Sequence, residues 1–220
     1  MSDMPLILAG LLVGAAHVLV GPDHLAAMAP FAIEAHRKAW KVGLRWGVGH
    51  ALGIIVVGLA GYALIDWLDL EFPSGVSERL IGVVLIAISV WGFLHLHRTR
   101  TSHLDPAPEQ KMGTHVHTRA AFLVGAVHGV AGTGNVLGVL PAMAQASWLN
   151  TGMYLVSFAL GSVLGMMGFA HVLGVATPGE TPKSLAAYRR VFIAACSVCL
   201  AVGLLWLVFP GLGLELDWGP

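Results

Sequence analysis

Three histidines and one aspartate carry the chemistry that this sequence offers first. His17 and His24 flank the run Gly21-Pro22-Asp23, and His50 follows in the next apolar stretch. Imidazole nitrogens with a carboxylate suit nickel, cobalt, zinc or copper better than magnesium or calcium, which favour oxygen ligands. On a straight helix His17 and His24 share a face but stand about 10 Å apart along the axis, at roughly 1.5 Å per residue. One ion with ligand bonds of about 2 Å cannot use both across that gap. The pair is useful only if the chain is broken between them.

Gly21-Pro22 supplies a break. Pro22 cannot donate a backbone hydrogen bond and clashes with the preceding turn, and Gly21 relaxes the backbone beside it. Asp23 then reads as the N-cap of a helix restarting at His24. Such a break frees backbone carbonyls, and the end of the first half-helix carries partial negative charge, which also suits a cation.

The elements that must position these groups follow from composition. Of 220 residues, 56% are apolar and only 24 carry a formal charge, 12 of each sign. A soluble domain is usually about 25% charged. This balance excludes a disordered chain, a nucleic-acid binder and an ordinary soluble enzyme; no enzymatic activity is expected, and the natural solvent is a bilayer. A span needs about 20 mostly apolar residues. Six are predicted, at Met4–Val20, Val42–Ile65, Leu80–Leu96, Ala120–Met143, Gly152–Ala176 and Val191–Phe209. Eleven of the 12 Lys and Arg residues fall in the first, third and fifth gaps or at their edges. The positive-inside rule therefore predicts a multi-pass protein of the cytoplasmic membrane with both termini outside. At that depth an Asp and two His are costly unless they act.

The sequence also matches itself. At a shift of 111 residues Gly14-Ala15-Ala16-His17 falls on Gly125-Ala126-Val127-His128, His24 on Asn135 and Pro30 on Pro141. With one insertion Gly49-x-x-x-Gly53 falls on Gly161-x-x-x-Gly165. Each half holds three spans, so the halves must insert in opposite senses, an arrangement typical of secondary transporters with the site where the repeats meet. The expected fold is all-α, with six transmembrane helices as two inverted three-helix repeats, residues 1–96 and 119–220, joined by a His-rich cytoplasmic loop at 97–118. The second half has Gly134 where the first has Asp23, so His128 and Asn135 read as pathway residues with fewer ligands to give.

His17-x5-Asp23-His24, the run Gly21-Pro22-Asp23-His24-Leu25-Ala26-Ala27, Trp46-Gly47-x-Gly49-His50 and Gly125-x-x-His128-Gly129 together resemble the nickel/cobalt transporter superfamily. The likeness is to its urease-accessory-like, high-affinity nickel transport branch. It covers all six spans and is most specific in the first two. The better-characterised permeases have four residues between the first His and the Asp, and commonly eight spans. The resemblance implies secondary transport of Ni2+ or Co2+, with His17, Asp23, His24 and His50 selecting the metal and no cofactor besides the transported ion. His17 and His24 would bind it, Asp23 would supply charge, and His50 would complete or orient the shell.

Other features are weaker. His95, His97, His103, His115 and His117 read as a cytoplasmic metal buffer or as chance residues of a solvated linker. His171, deep in the fifth span, is a pathway candidate or a core His. Cys196 and Cys199 share a helix face and read as small buried hydrophobes. A thiol redox carrier would want a matching cysteine in the first half, which has none. Gly10-x-x-x-Gly14 serves internal packing or a homo-oligomer. There is no phosphate-binding Gly-x4-Gly-Lys-Ser/Thr loop, so coupling to an ion gradient or membrane potential is expected. Partners are lipid and a divalent metal ion. Export of the same metals, or metal delivery without transport, stand as alternatives.

Overall fold

A computed structural model describes residues 4–64, 74–102, 114–131, 147–178 and 184–209. These residues are helical throughout, with no strand among them. The helices are α1 (Met4–Val20), α2 (Pro22–Ala35), α3 (Ala39–Leu64), α4 (Ser74–Ser102), α5 (Thr114–Ala131), α6 (Trp148–Ala176) and α7 (Leu185–Val208); a single 3-10 turn, His36–Lys38, joins α2 to α3.

Among the described residues, α6, α7 and the Arg79–Arg98 stretch of α4 are long and apolar enough to cross a bilayer. A fourth span is added if α1 and the Pro22–Val56 stretch, bent by 73° at their junction, count as one broken span. That is fewer than the six expected. The apolar part of α5 described here, Arg119–Ala131, is too short alone, and its expected extension to Met143 lies outside the described residues. With leucines and valines exposed along α1, α5, α6 and α7, including Leu12, Leu123, Leu164 and Val198, the molecule is apolar on its outside. It is a multi-pass membrane protein.

The helices approach through glycines, because packing in lipid relies on close backbone contact rather than on hydrophobic expulsion. A Cβ at Gly14 of α1 would collide with the Phe158 carbonyl of α6, and one at Gly161 of α6 with the Leu11 carbonyl of α1. On the other side, Gly125 of α5 lies against the Trp46 carbonyl of α3, and Gly49 of α3 against the Phe122 carbonyl of α5. α4 and α7 close on each other at Gly82 and Gly203, whose added Cβ atoms would stand 2.7 and 2.9 Å from the carbonyl oxygen of the opposite glycine.

The helix α2 fills the middle. At 14 residues it is about 21 Å long, short of a hydrocarbon core of about 30 Å. It packs against α3, α4, α6 and α7, and its buried side includes Ala26, Ala27, Met28 and Phe31. Its far end is fixed at His36, whose φ of +46° lets its backbone N–H reach the Ala32 and Ile33 carbonyls. The His36 ring bonds the Gly174 carbonyl at 2.7 Å through Nδ1.

Candidate metal centre

The helix break brings the histidines together. α1 ends at Val20, Gly21 is extended at φ −72° and ψ 105°, and α2 starts at Pro22. The His17 and His24 ring centroids are 4.7 Å apart, less than half their spacing on a straight helix. One expectation is corrected here. The N-cap of α2 is Gly21, with Pro22 at the first helical position, where its missing N–H costs nothing. Asp23 lies inside the first turn, and its carboxylate is spent on side chains instead of backbone.

That carboxylate is gripped from both sides. His24 Nδ1–H donates to Asp23 Oδ1 at 3.1 Å, and His128 Nε2–H of α5 donates to Oδ2 at 2.9 Å. His50 of α3 completes the cluster: its ring stacks on His17 at 5.8 Å and meets His24 edge-on at 4.9 Å. His50, His128 and His24 are at most 3% exposed. His24 Nε2, both nitrogens of His50 and His128 Nδ1 make no hydrogen bond to the protein. A buried polar atom left so costs about 1–3 kcal/mol.

Donor atoms of His17, His24 and His50 lie within 4.8 Å of one another, as do those of Asp23, His24 and His128. Phe158 of α6 flanks His17 at 5.6 Å and Trp46 of α3 flanks His128 at 6.3 Å, closing the cluster with aromatic walls. Gly21 makes the room: a Cβ there would stand 2.5 Å from His24 Nδ1 and 3.0 Å from Asp23 Oδ1.

The sequence placed His128 on the pathway; the structure seats it on Asp23. The signal for it was its register with His17 in the internal repeat. Asn135 and His103 lie outside the described residues. His171 is exposed on α6 and lies outside the cluster. The His-rich gap is shorter than expected. His95 and His97 belong to α4 and His115 and His117 to α5. His97 is exposed, whereas His95 stacks on Trp91 and its Nε2 lies 3.6 Å from Glu34 Oε1 of α2.

Cys196 and Cys199 are buried on α7 and turn toward α4. Ser89 Oγ donates to the Cys196 carbonyl at 2.8 Å, and the Cys199 thiol points at the Leu85 carbonyl at 3.3 Å.

Fold and cluster define a helical, multi-pass membrane protein with a buried site of metal-ligating groups. Residues 6–206 match the family described as the cytochrome c biogenesis protein transmembrane region, and the chain belongs to that family. It is 28% identical over 224 residues to "Chloroplast protein FOR GROWTH AND FERTILITY 1" of Arabidopsis thaliana, covering 94% of this chain and 60% of the relative. The plant's second protein of that name is 29% identical over 213 residues, covering 94% and 57%. The chain thus spans about three-fifths of the length of these relatives. "Urease accessory protein UreH" of Bacillus sp. (strain TB-90) is 24% identical over 174 residues, covering 76% of this chain and 75% of that protein. No solved structure matches.

Proposed function

We propose that the protein carries a divalent transition-metal ion, Ni2+ or Co2+ first, across the cytoplasmic membrane by secondary transport. One observation carries this reading. Five metal-ligating groups from α1, α2, α3 and α5, namely the half-buried His17 and the buried Asp23, His24, His50 and His128, converge where a helix is broken, with several nitrogens of the buried histidines left without hydrogen bonds. The likeness to a urease accessory protein agrees with it.

The architecture we propose is two inverted repeats of three spans each, with both termini outside. A shift of 111 or 112 residues converts the Gly14–Phe158 contact into Gly125–Trp46 and the Gly161–Leu11 contact into Phe122–Gly49. The same shift carries the His17–Phe158 pair onto His128–Trp46. The site then sits where the two repeats meet, on elements that can rock against each other for alternating access.

The thiol redox reading draws on the family description, but Cys196 and Cys199 pack toward α4 of the first half, which offers them no cysteine. Flux into proteoliposomes loaded with a metal-responsive dye tests the transport reading, with Ni2+, Co2+, Zn2+ and Mn2+ offered in turn. Flux of Ni2+ or Co2+ that disappears in His24→Ala supports it. Binding without flux in folded protein supports metal delivery instead. Oriented vesicles separate uptake from export.

A further inference from the structure

The five groups do not form one coordination sphere. One donor atom from each of the five residues does not bring them all within 4.8 Å of one another, whereas two donors on one ion stand no more than roughly 4.2 Å apart. The side chains gather instead as two triads, His17, His24, His50 and Asp23, His24, His128, and only His24 belongs to both. Its Nδ1 faces Asp23 and its Nε2 is left for the first triad.

The triads differ in charge and in origin. The first is all imidazole and comes from α1, α2 and α3. The second holds the carboxylate and takes His128 from α5, on the other side of the internal repeat. They differ in condition too. The carboxylate triad is closed on itself, both Asp23 oxygens accepting an imidazole N–H. The imidazole triad holds three nitrogens with no hydrogen bond, His24 Nε2 and both of His50, whereas the one such nitrogen that His128 brings to the carboxylate triad is Nδ1, the ring nitrogen not engaged with Asp23.

We infer that the cluster is two successive cation stations sharing His24, an inference that rests on the transport reading above. The ion is received by His17, His24 Nε2 and His50. It passes to Asp23, His24 Nδ1 and His128 once the His128–Asp23 hydrogen bond opens. On this transfer His24 Nδ1 and His128 Nε2 each give up the proton they now donate to Asp23, and His24 Nε2, vacated by the ion, and His128 Nδ1 each take one up, the two protons exchanging through water admitted as α2 and α5 separate; both rings stay neutral and the charge of the ion does not change. Station one is neutral and selects for nitrogen-loving metals; station two neutralises one charge of the ion and couples its passage to separation of α2 from α5.

Optical spectroscopy of Co2+ bound to the full chain in detergent tests this, with flux measured in parallel. Removing His50 should leave only the carboxylate station and removing His128 only the imidazole one. His50→Ala and His128→Ala should therefore each still bind one Co2+, with clearly different ligand-field spectra, and both should lose flux. His24→Ala should weaken Co2+ binding at least 100-fold. Asp23→Asn, nearly isosteric, should give the spectrum of His128→Ala and serves in its place if that variant does not fold. Matching spectra and matching affinity losses in His50→Ala and His128→Ala would overturn the two stations in favour of one site. Two distinct spectra without flux in the wild type would keep the stations and refute transport.

Discussion

Replacing Gly21 by alanine removes no candidate ligand but displaces two of them. The new Cβ would stand 2.5 Å from His24 Nδ1 and 3.0 Å from Asp23 Oδ1. Ordinary contact needs about 3.5 Å, so the imidazole must retreat by about 1 Å and the carboxylate by about half that. The third neighbour, the His17 carbonyl at 3.1 Å, yields only a few tenths. The backbone itself does not resist, since φ −72° and ψ 105° lie in a region open to alanine. Gly→Ala at a compatible position stabilises by about 0.4–1 kcal/mol through the unfolded chain. Disturbing groups that orient metal ligands typically costs 10–100-fold in affinity, about 1.4–2.7 kcal/mol. The variant should therefore bind Co2+ about 10–100-fold more weakly with an unchanged or higher Tm. Titration of detergent-solubilised protein, followed by its optical spectrum, reads the affinity, and a melting curve reads the stability. Unchanged affinity in a folded variant would refute the geometry of the cluster.

Other consequences are as direct. Gly129→Ala drives a Cβ into the His50 carbonyl and should lower stability by about 1–3 kcal/mol, whereas Gly168→Ala, with nothing within 4 Å, should not; thermal unfolding compares the two. Cys196→Ala with Cys199→Ala should keep metal flux, and loss of flux in folded protein would revive the thiol reading. His171→Ala should keep flux as well, because His171 lies outside the cluster and is exposed. Lowering the pH should weaken Co2+ binding, since protons compete with the metal for imidazole nitrogens, and pH-independent binding would exclude histidine ligands.

Much of the candidate site is legible in the sequence. Pro22 forbids a continuous hydrogen-bond ladder whatever surrounds it, so the break between His17 and His24 is a local property. The apolar runs likewise set the helices, because in lipid a backbone must satisfy itself. The partners of Asp23 were not legible. A helix-starting aspartate ordinarily caps its own backbone, and the expectation followed that rule. Here the cap position falls on Gly21, and Asp23 turns to His128, 105 residues away. That choice depends on how closely α5 approaches α3, which is set by Gly49, Gly125 and Gly129 meeting opposing carbonyls. The place of His171 was not legible for the same reason in reverse: an apolar helix does not announce which of its faces is exposed. The sequence alone determined the ligand types, the helix break and the small residues that permit close packing, since these act within a few residues. Only the tertiary structure decided which nitrogens share a carboxylate and that the candidate ligands divide into two triads around His24, because both depend on distances between helices far apart in the chain.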